Sequence, residues 1–146
     1  MLIFPEIDKK KTKQNARLTL RTFSQLSRLA RTEKLPKVTA SYYFDLGEDE
    51  KNHKEEQVVE RKILAEVELK QIASAINKLS AFERRLIYDK YINNKETNVA
   101  LSLNYHISES KFYRELDGAL LHFAESYDEG QLVKVKQGSS GSKVKV

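Results

Sequence analysis

The chain has 146 residues, 32% charged and 40% apolar, with no cysteine and a net charge of +5. That length suits one modest domain or a small domain with appendages, and the lack of cysteine excludes disulfides and thiolate metal sites, which fits a reducing cytoplasm. No window approaches the roughly 18–20 uninterrupted apolar residues of a membrane span, and the opening MLIFPEIDKKK puts its apolar residues before its lysines, the reverse of a secretory leader.

The charge is unevenly placed. Residues 8–37 carry ten basic and two acidic side chains, 38–77 five and nine, and 78–128 seven and eight. A basic start, an acidic middle and a nearly neutral C-terminal region fit contact with a polyanion.

In chain order, residues 1–30 read as an N-terminal basic helix running from Asp8 to about Ala30. Its apolar positions are Ala16, Leu20, Phe23, Leu26 and Ala30, and Asp8 favours the helix dipole at the start. Residues 31–53 hold Pro36, Gly47 and an acidic run without a sustained period, and read as a connector with a short extended piece at 38–44. Residues 54–79 repeat Ala65, Leu69, Ile72, Ile76 and Leu79 at spacings of 4, 3, 4 and 3, with Val59, Ile63 and Val67 as a flanking stripe. This predicts a long helix, either a spacer or a surface pairing two chains as a homodimer.

Residues 80–128 read as a compact helical unit. Ser80 and Glu83 match the capping box and predict a helix over 81–92 that buries Phe82, Leu86, Ile87 and Tyr91, broken by NNK. A second short helix follows over 97–103, with Val99, Ala100 and Leu103 inward and Asn104 in the left-handed conformation that ends a helix. The last helix starts at Ser108 as N-cap and buries Phe112, Leu116, Ala119, Leu120 and Phe123. Residues 129–146, Gly/Ser-rich toward the end, read as a flexible, disordered tail. The fold class is therefore all-α.

Two short helices, a turn and a longer helix describe a helix-turn-helix with an extra helix before it. In such a unit the last helix enters the major groove by its N-terminal end. The stretch ISESKFYRELDGALLHFAE fits that division, polar in its first turns and apolar along one side later. Ser110, Lys111 and Arg114 lie off the apolar stripe, and Arg114 is the candidate for a bidentate guanine contact. Lys111, Ser108 and Thr97 are candidates for phosphates, and Tyr113 for a sugar or a thymine methyl. Lys9, Lys10, Lys11, Lys13, Arg17 and Arg21 in the basic helix are further candidates for phosphate contact. The bland reading of the same features, a small helical bundle with a solvated basic face, has about equal weight.

The segments FPEIDKKKTKQNARLTLRTFSQLSRLA and ISESKFYRE…ALLHFAE together resemble the ArpU family of phage and prophage transcriptional regulators, over roughly residues 4–125. The C-terminal part also resembles region 4 of bacterial sigma factors. The resemblance implies a cytoplasmic, DNA-binding transcription regulator of late or lysis-related genes, with double-stranded DNA and bacterial RNA polymerase as partners and no cofactor. Carried over by position, the groove-facing set is Ser108, Glu109, Ser110, Lys111, Tyr113 and Arg114, with Thr97 and Asn98 beside it. Two departures stand out: Asn104, Tyr105 and His106 replace a tighter glycine-containing turn, and Asp117 and Gly118 stand where relatives tend to carry lysines.

An enzyme is not expected. His53, His106 and His122 are far apart without metal-like spacing, the acidic run DLGEDE lacks the spacing of a calcium loop, and there is no phosphate-binding glycine loop. The alternatives are a phage DNA-packaging component of the small-terminase kind, or a purely helical interaction module.

Overall fold

A computed structural model of the protein describes residues 6–30, 36–46 and 60–136. The acidic run from 47, His53, Val59 and the Gly/Ser-rich end all lie outside the described residues. The protein is all-α: α1 is Lys9–Arg21, α2 Phe23–Leu29, α3 Glu60–Asn77, α4 Ala81–Ile87, α5 Asn98–Asn104 and α6 Glu109–Ser126. Among the described residues the only β-type pairings are isolated antiparallel bridges, Ile7 with Val135 and Val38 with Phe44. No described helix is long and apolar enough to cross a membrane.

The expected single helix over 8–30 is two helices, which meet at Thr22. Asp8 caps the first, its carboxylate accepting from the Lys11 N–H at 3.1 Å. At the break the Thr22 hydroxyl donates to the Thr19 carbonyl at 2.6 Å, a local bond that competes with the regular ladder. Ala16, Leu20, Phe23 and Ala30 are buried as the spacing requires, and Leu26 packs against their cluster from a half-buried position. The basic segment is therefore no free arm: α1 lies along α6 and α2 along α3.

α3 is no free-standing spacer either. It buries Ala65, Ile72, Ala73, Ala75 and Ile76 against α2 and α6. Its 18 residues span about 27 Å at ~1.5 Å each. The connector piece at 36–46 is tied to this body. Asn77 accepts from the Phe44 N–H at 2.7 Å and donates to the Phe44 carbonyl at 3.2 Å. Arg84, almost fully buried, donates to the carbonyls of Leu79 and Ser41 and lies 3.7 Å over the Tyr43 ring. A buried guanidinium is tolerated because its donors are satisfied and its plane is stacked.

The capping box at Ser80 and Glu83 is present. The helix it starts is α-helical to Ile87 and continues as a π-helical turn, Tyr88–Asn93, closed by Asn94 at φ 49°. Leu86, Ile87 and Tyr91 are buried, but Phe82 is 36% exposed and leans edge-on against Tyr105. In α5 the inward residues are Leu101 and Ser102; Val99 and Leu103 face solvent and Ala100 is half-buried. The expected left-handed residue at Asn104 is instead His106, at φ 61°. The His106 N–H bonds the Leu103 carbonyl and the Ile107 N–H bonds the Ser102 carbonyl, at 3.0 and 3.1 Å. That is the Schellman pattern, in which the chain leaves a helix through one left-handed residue. A histidine thus occupies the place where glycine would be cheapest.

The first part of the expected tail packs on the body. Residues 131–136 are paired: Lys136 N–H bonds Glu6 O at 2.7 Å and Asp8 N–H bonds Lys134 O at 2.8 Å. Thr12 is fully buried because its hydroxyl accepts from the Lys134 N–H at 2.9 Å, and Asn15 donates to the Leu132 carbonyl at 3.0 Å.

Behind this pairing, buried Tyr127 donates its hydroxyl to Glu68 of α3. Burial, and secondarily Asp128, push the Glu68 carboxyl above the usual carboxylate range. A raised folded-state pKa contributes stability that is full below the unfolded carboxylate range and is lost as pH rises through the folded value. Glu68→Gln removes that loss while keeping an acceptor for Tyr127. Its melting temperature should therefore exceed the wild type's at pH ~7 and converge with it near pH ~3.5, below the ordinary glutamate value. A gap independent of pH would show that the Glu68 proton is not the cause.

Candidate nucleic-acid interface

α6 is anchored from behind and open in front. Its N-cap Ser108 accepts from the Lys111 N–H at 3.0 Å, while Phe112, Leu116, Ala119, Leu120, Phe123 and Ala124 are buried. Helical geometry then obliges the positions between these to face outward. Ser108, Glu109, Ser110, Lys111, Tyr113 and Arg114 are all exposed. The Lys111 and Arg114 side chains have no hydrogen-bond or ion-pair partner among the described residues.

α5 stands beside this front. Thr97 caps it, its hydroxyl accepting from the Ala100 N–H at 3.1 Å. Asn98 donates to the Tyr113 hydroxyl at 3.2 Å, so Thr97, Asn98 and the first turns of α6 form one continuous polar surface. The two helices are held in place by a polar cluster at their back. Tyr105 donates to Asp89 at 2.5 Å, Arg85 Nε lies 3.7 Å from the same carboxylate, and the Arg85 guanidinium sits 4.5 Å from the Tyr105 ring centre. Burial first, and then Asp89, push the Tyr105 phenol far up, so it stays a donor. The Tyr105 ring also packs on Phe112, with centroids 6.1 Å apart. The turn lacks glycine, and this cluster together with left-handed His106 sets how α6 leaves α5. None of Arg85, Asp89 and Tyr105 belongs to the sequence-expected site: Arg85 and Asp89 are an i,i+4 pair, and Tyr105 joins them from 16 residues beyond Asp89.

The basic residues of α1 are divided. α1 starts beside residues 134–136, just past the end of α6, and meets α6 where Lys13 pairs with Asp117 at 3.2 Å. Arg17 and Arg21 lie one and two turns further along α1, beside Tyr91 and Lys90. The chain departs from the expected lysine at Asp117 because that carboxylate serves an internal ion pair with Lys13. Arg17 lies beside the buried Tyr91 hydroxyl, where burial raises the phenol and Arg17 and Arg21 pull it back down. Arg21 lines a hollow with Lys90 and Asn94. Lys9, Lys10 and Lys11 are exposed at the opposite end, about 15–18 Å from Arg21 along the helix axis. The six basic residues of α1 thus do not form one patch: Lys13 is paired with Asp117, Lys10, Arg17 and Arg21 line one side of the helix, and Lys9 and Lys11 are exposed near its start.

His106 is exposed in the turn, and His122 pairs with Glu83 at 2.5 Å, away from this front. Among the described residues no group of acidic and histidine side chains could hold a metal ion.

Comparison with known proteins gives two near full-length likenesses. One is a protein of Enterococcus hirae named "Putative autolysin regulatory protein ArpU", 28% identical over 138 residues that cover 93% of this chain and all of the relative. The other carries the same name in Streptococcus phage O1205, 29% identical over 135 residues that cover 90% of this chain and 98% of the relative. No family model and no solved structure matches the chain.

Proposed function

Because the chain belongs to the ArpU family of regulatory proteins, we propose that it is a sequence-specific DNA-binding transcription regulator of phage or prophage genes, cell-wall lysis genes among them. One observation carries this reading. The front of α6 presents Ser110, Lys111, Tyr113 and Arg114 to solvent without intramolecular partners for its two cations, while the opposite side is locked into the core. Surface cations held rigidly on a helix front suit a duplex, since phosphate contacts set the register and base-edge contacts carry sequence. Thr97, Asn98, Ser108 and Glu109 frame that front, and α5, the turn and α6 act as a helix-turn-helix.

Selection of bound fragments from random and phage genomic DNA tests the reading. Enrichment of one motif is expected; recovery of no DNA above background at low salt overturns it.

The same reading includes a homodimer formed through the long helix. α3 exposes Ile63, Leu64 and Val67, Leu64 at 62%, an apolar stripe that the described residues leave uncovered. Leu64→Glu should shift sedimentation of the protein from dimer to monomer without loss of helicity; a wild-type monomer at concentrations of tens of micromolar would remove the dimer from the proposal.

A further inference from the structure

The hollow at the junction of α1 and α2 is built from two distant parts of the chain. Arg21 and Ser24 line it from one side, Lys90, Tyr91 and Asn94 from the other, around about 270 Å³. Arg21 and Ser24 are three residues apart across Thr22, whose backbone stays in the right-handed helical region, so the two side chains fall on the same side. On the far side, the π-helical turn and left-handed Asn94 turn the chain back at the same place.

Its chemistry is one-sided. Two cations and three hydrogen-bonding side chains line it, and no carboxylate does. Asp117, the carboxylate that acts on Tyr91, is held by Lys13. No ion pair among the described residues engages Arg21 or Lys90. Burial, and then the Arg21 guanidinium, hold the Lys90 ammonium below the usual lysine range. Two like charges brought together without a counter-charge cost stability, and an anion between them would reverse that cost.

Its position is equally specific. Asn94 is three residues before Thr97, whose neighbour Asn98 touches Tyr113 of α6. Three residues span at most about 11 Å, so the hollow lies within reach of the DNA-facing surface proposed above. Resting on that reading, we propose that Arg21, Ser24, Lys90 and Asn94 form a pocket for a backbone phosphate of the duplex, flanking the bases read by α6.

Two measurements on the full chain test this. In the first, Arg21→Gln and Lys90→Gln are compared with wild type for affinity against salt on the selected DNA. Each variant should lower the slope of log affinity against log salt by up to about 0.9 and leave the preferred motif unchanged. An unaltered slope in both variants, with wild type binding normally, overturns the pocket. Lys90→Gln should also melt no lower than wild type, since it removes an uncompensated charge; this separates a lost phosphate contact from a damaged fold.

In the second, inorganic phosphate is titrated into the DNA-free protein and amide signals are followed by NMR. Saturable shifts at Ser24 and Asn94 that vanish when Arg21→Gln and Lys90→Gln are combined in a double variant support the pocket. Their absence in wild type, or their persistence in the double variant, overturns it. Should the wild type bind no DNA of any sequence, the regulator reading fails by itself, and the titration alone decides whether the pocket takes phosphate.

Discussion

Phe112→Ala is expected to destabilise the protein by about 3–5 kcal/mol, the range for removing a fully buried aromatic ring. Phe112 has no exposed surface and is the first apolar position of α6. Its ring lies 6.1 Å from that of Tyr105 and 5.7 Å from that of Tyr113. The site cannot readily collapse into the space, because Tyr105 is fixed by Asp89 and by Arg85 above its ring. A void lined by held groups keeps the full cavity cost. Against a total stability of roughly 5–15 kcal/mol, the loss should appear as a large drop in the urea midpoint. Phe112→Leu, which keeps most of the volume, should cost distinctly less. Near-equal midpoints for the alanine variant and wild type would mean that the ring is not the keystone between α5 and α6.

The same residue marks what could be read before the fold was known. α6 was legible because eighteen residues show their period over five turns and Ser108 marks the start. α5 has seven residues, under two full turns, so Val99/Leu103 and Leu101/Ser102 compete as the inward pair on spacing alone. Hydropathy favours the first, yet Ser102 is the buried one, its hydroxyl satisfied by the Val99 carbonyl at 2.8 Å. The break at Thr22 carries no glycine or proline, and only a threonine back-bonding to its own helix betrays it. Residues 134–136 pair with 6–8 across more than 120 positions, a relation that local patterns do not encode. The LVKVK alternation was the one available sign.

The exposed set on α6 was legible for the same reason as its core, since the two faces of one helix are complementary. The charge of α1 was legible but its placement was not. Ala16 and Leu20 bury α1 against the body, so deleting residues 1–31 would remove core rather than an appendage. Single charge substitutions, not truncation, are the sound probe of those cations.

Arg114→Ala should relax sequence preference while leaving the fold intact. Arg114 is exposed and engages no partner among the described residues, so its removal opens no cavity and strands no buried charge; surface changes of that kind stay within about 0.5 kcal/mol. On the proposed reading its guanidinium reaches the acceptor pair of a guanine, a contact that discriminates by about 1–3 kcal/mol. Discrimination between the selected motif and the same motif with that base pair changed should fall by about 5- to 150-fold. Binding to random DNA should weaken far less. Lys111, three residues earlier on the same exposed front, serves as the contrast. As a phosphate contact, its alanine variant should weaken all sequences alike and lower the salt slope by just under one. If Arg114→Ala instead behaves as Lys111→Ala does, with equal loss on specific and random DNA, Arg114 touches backbone only and the base-reading role passes to another side chain of the α6 front.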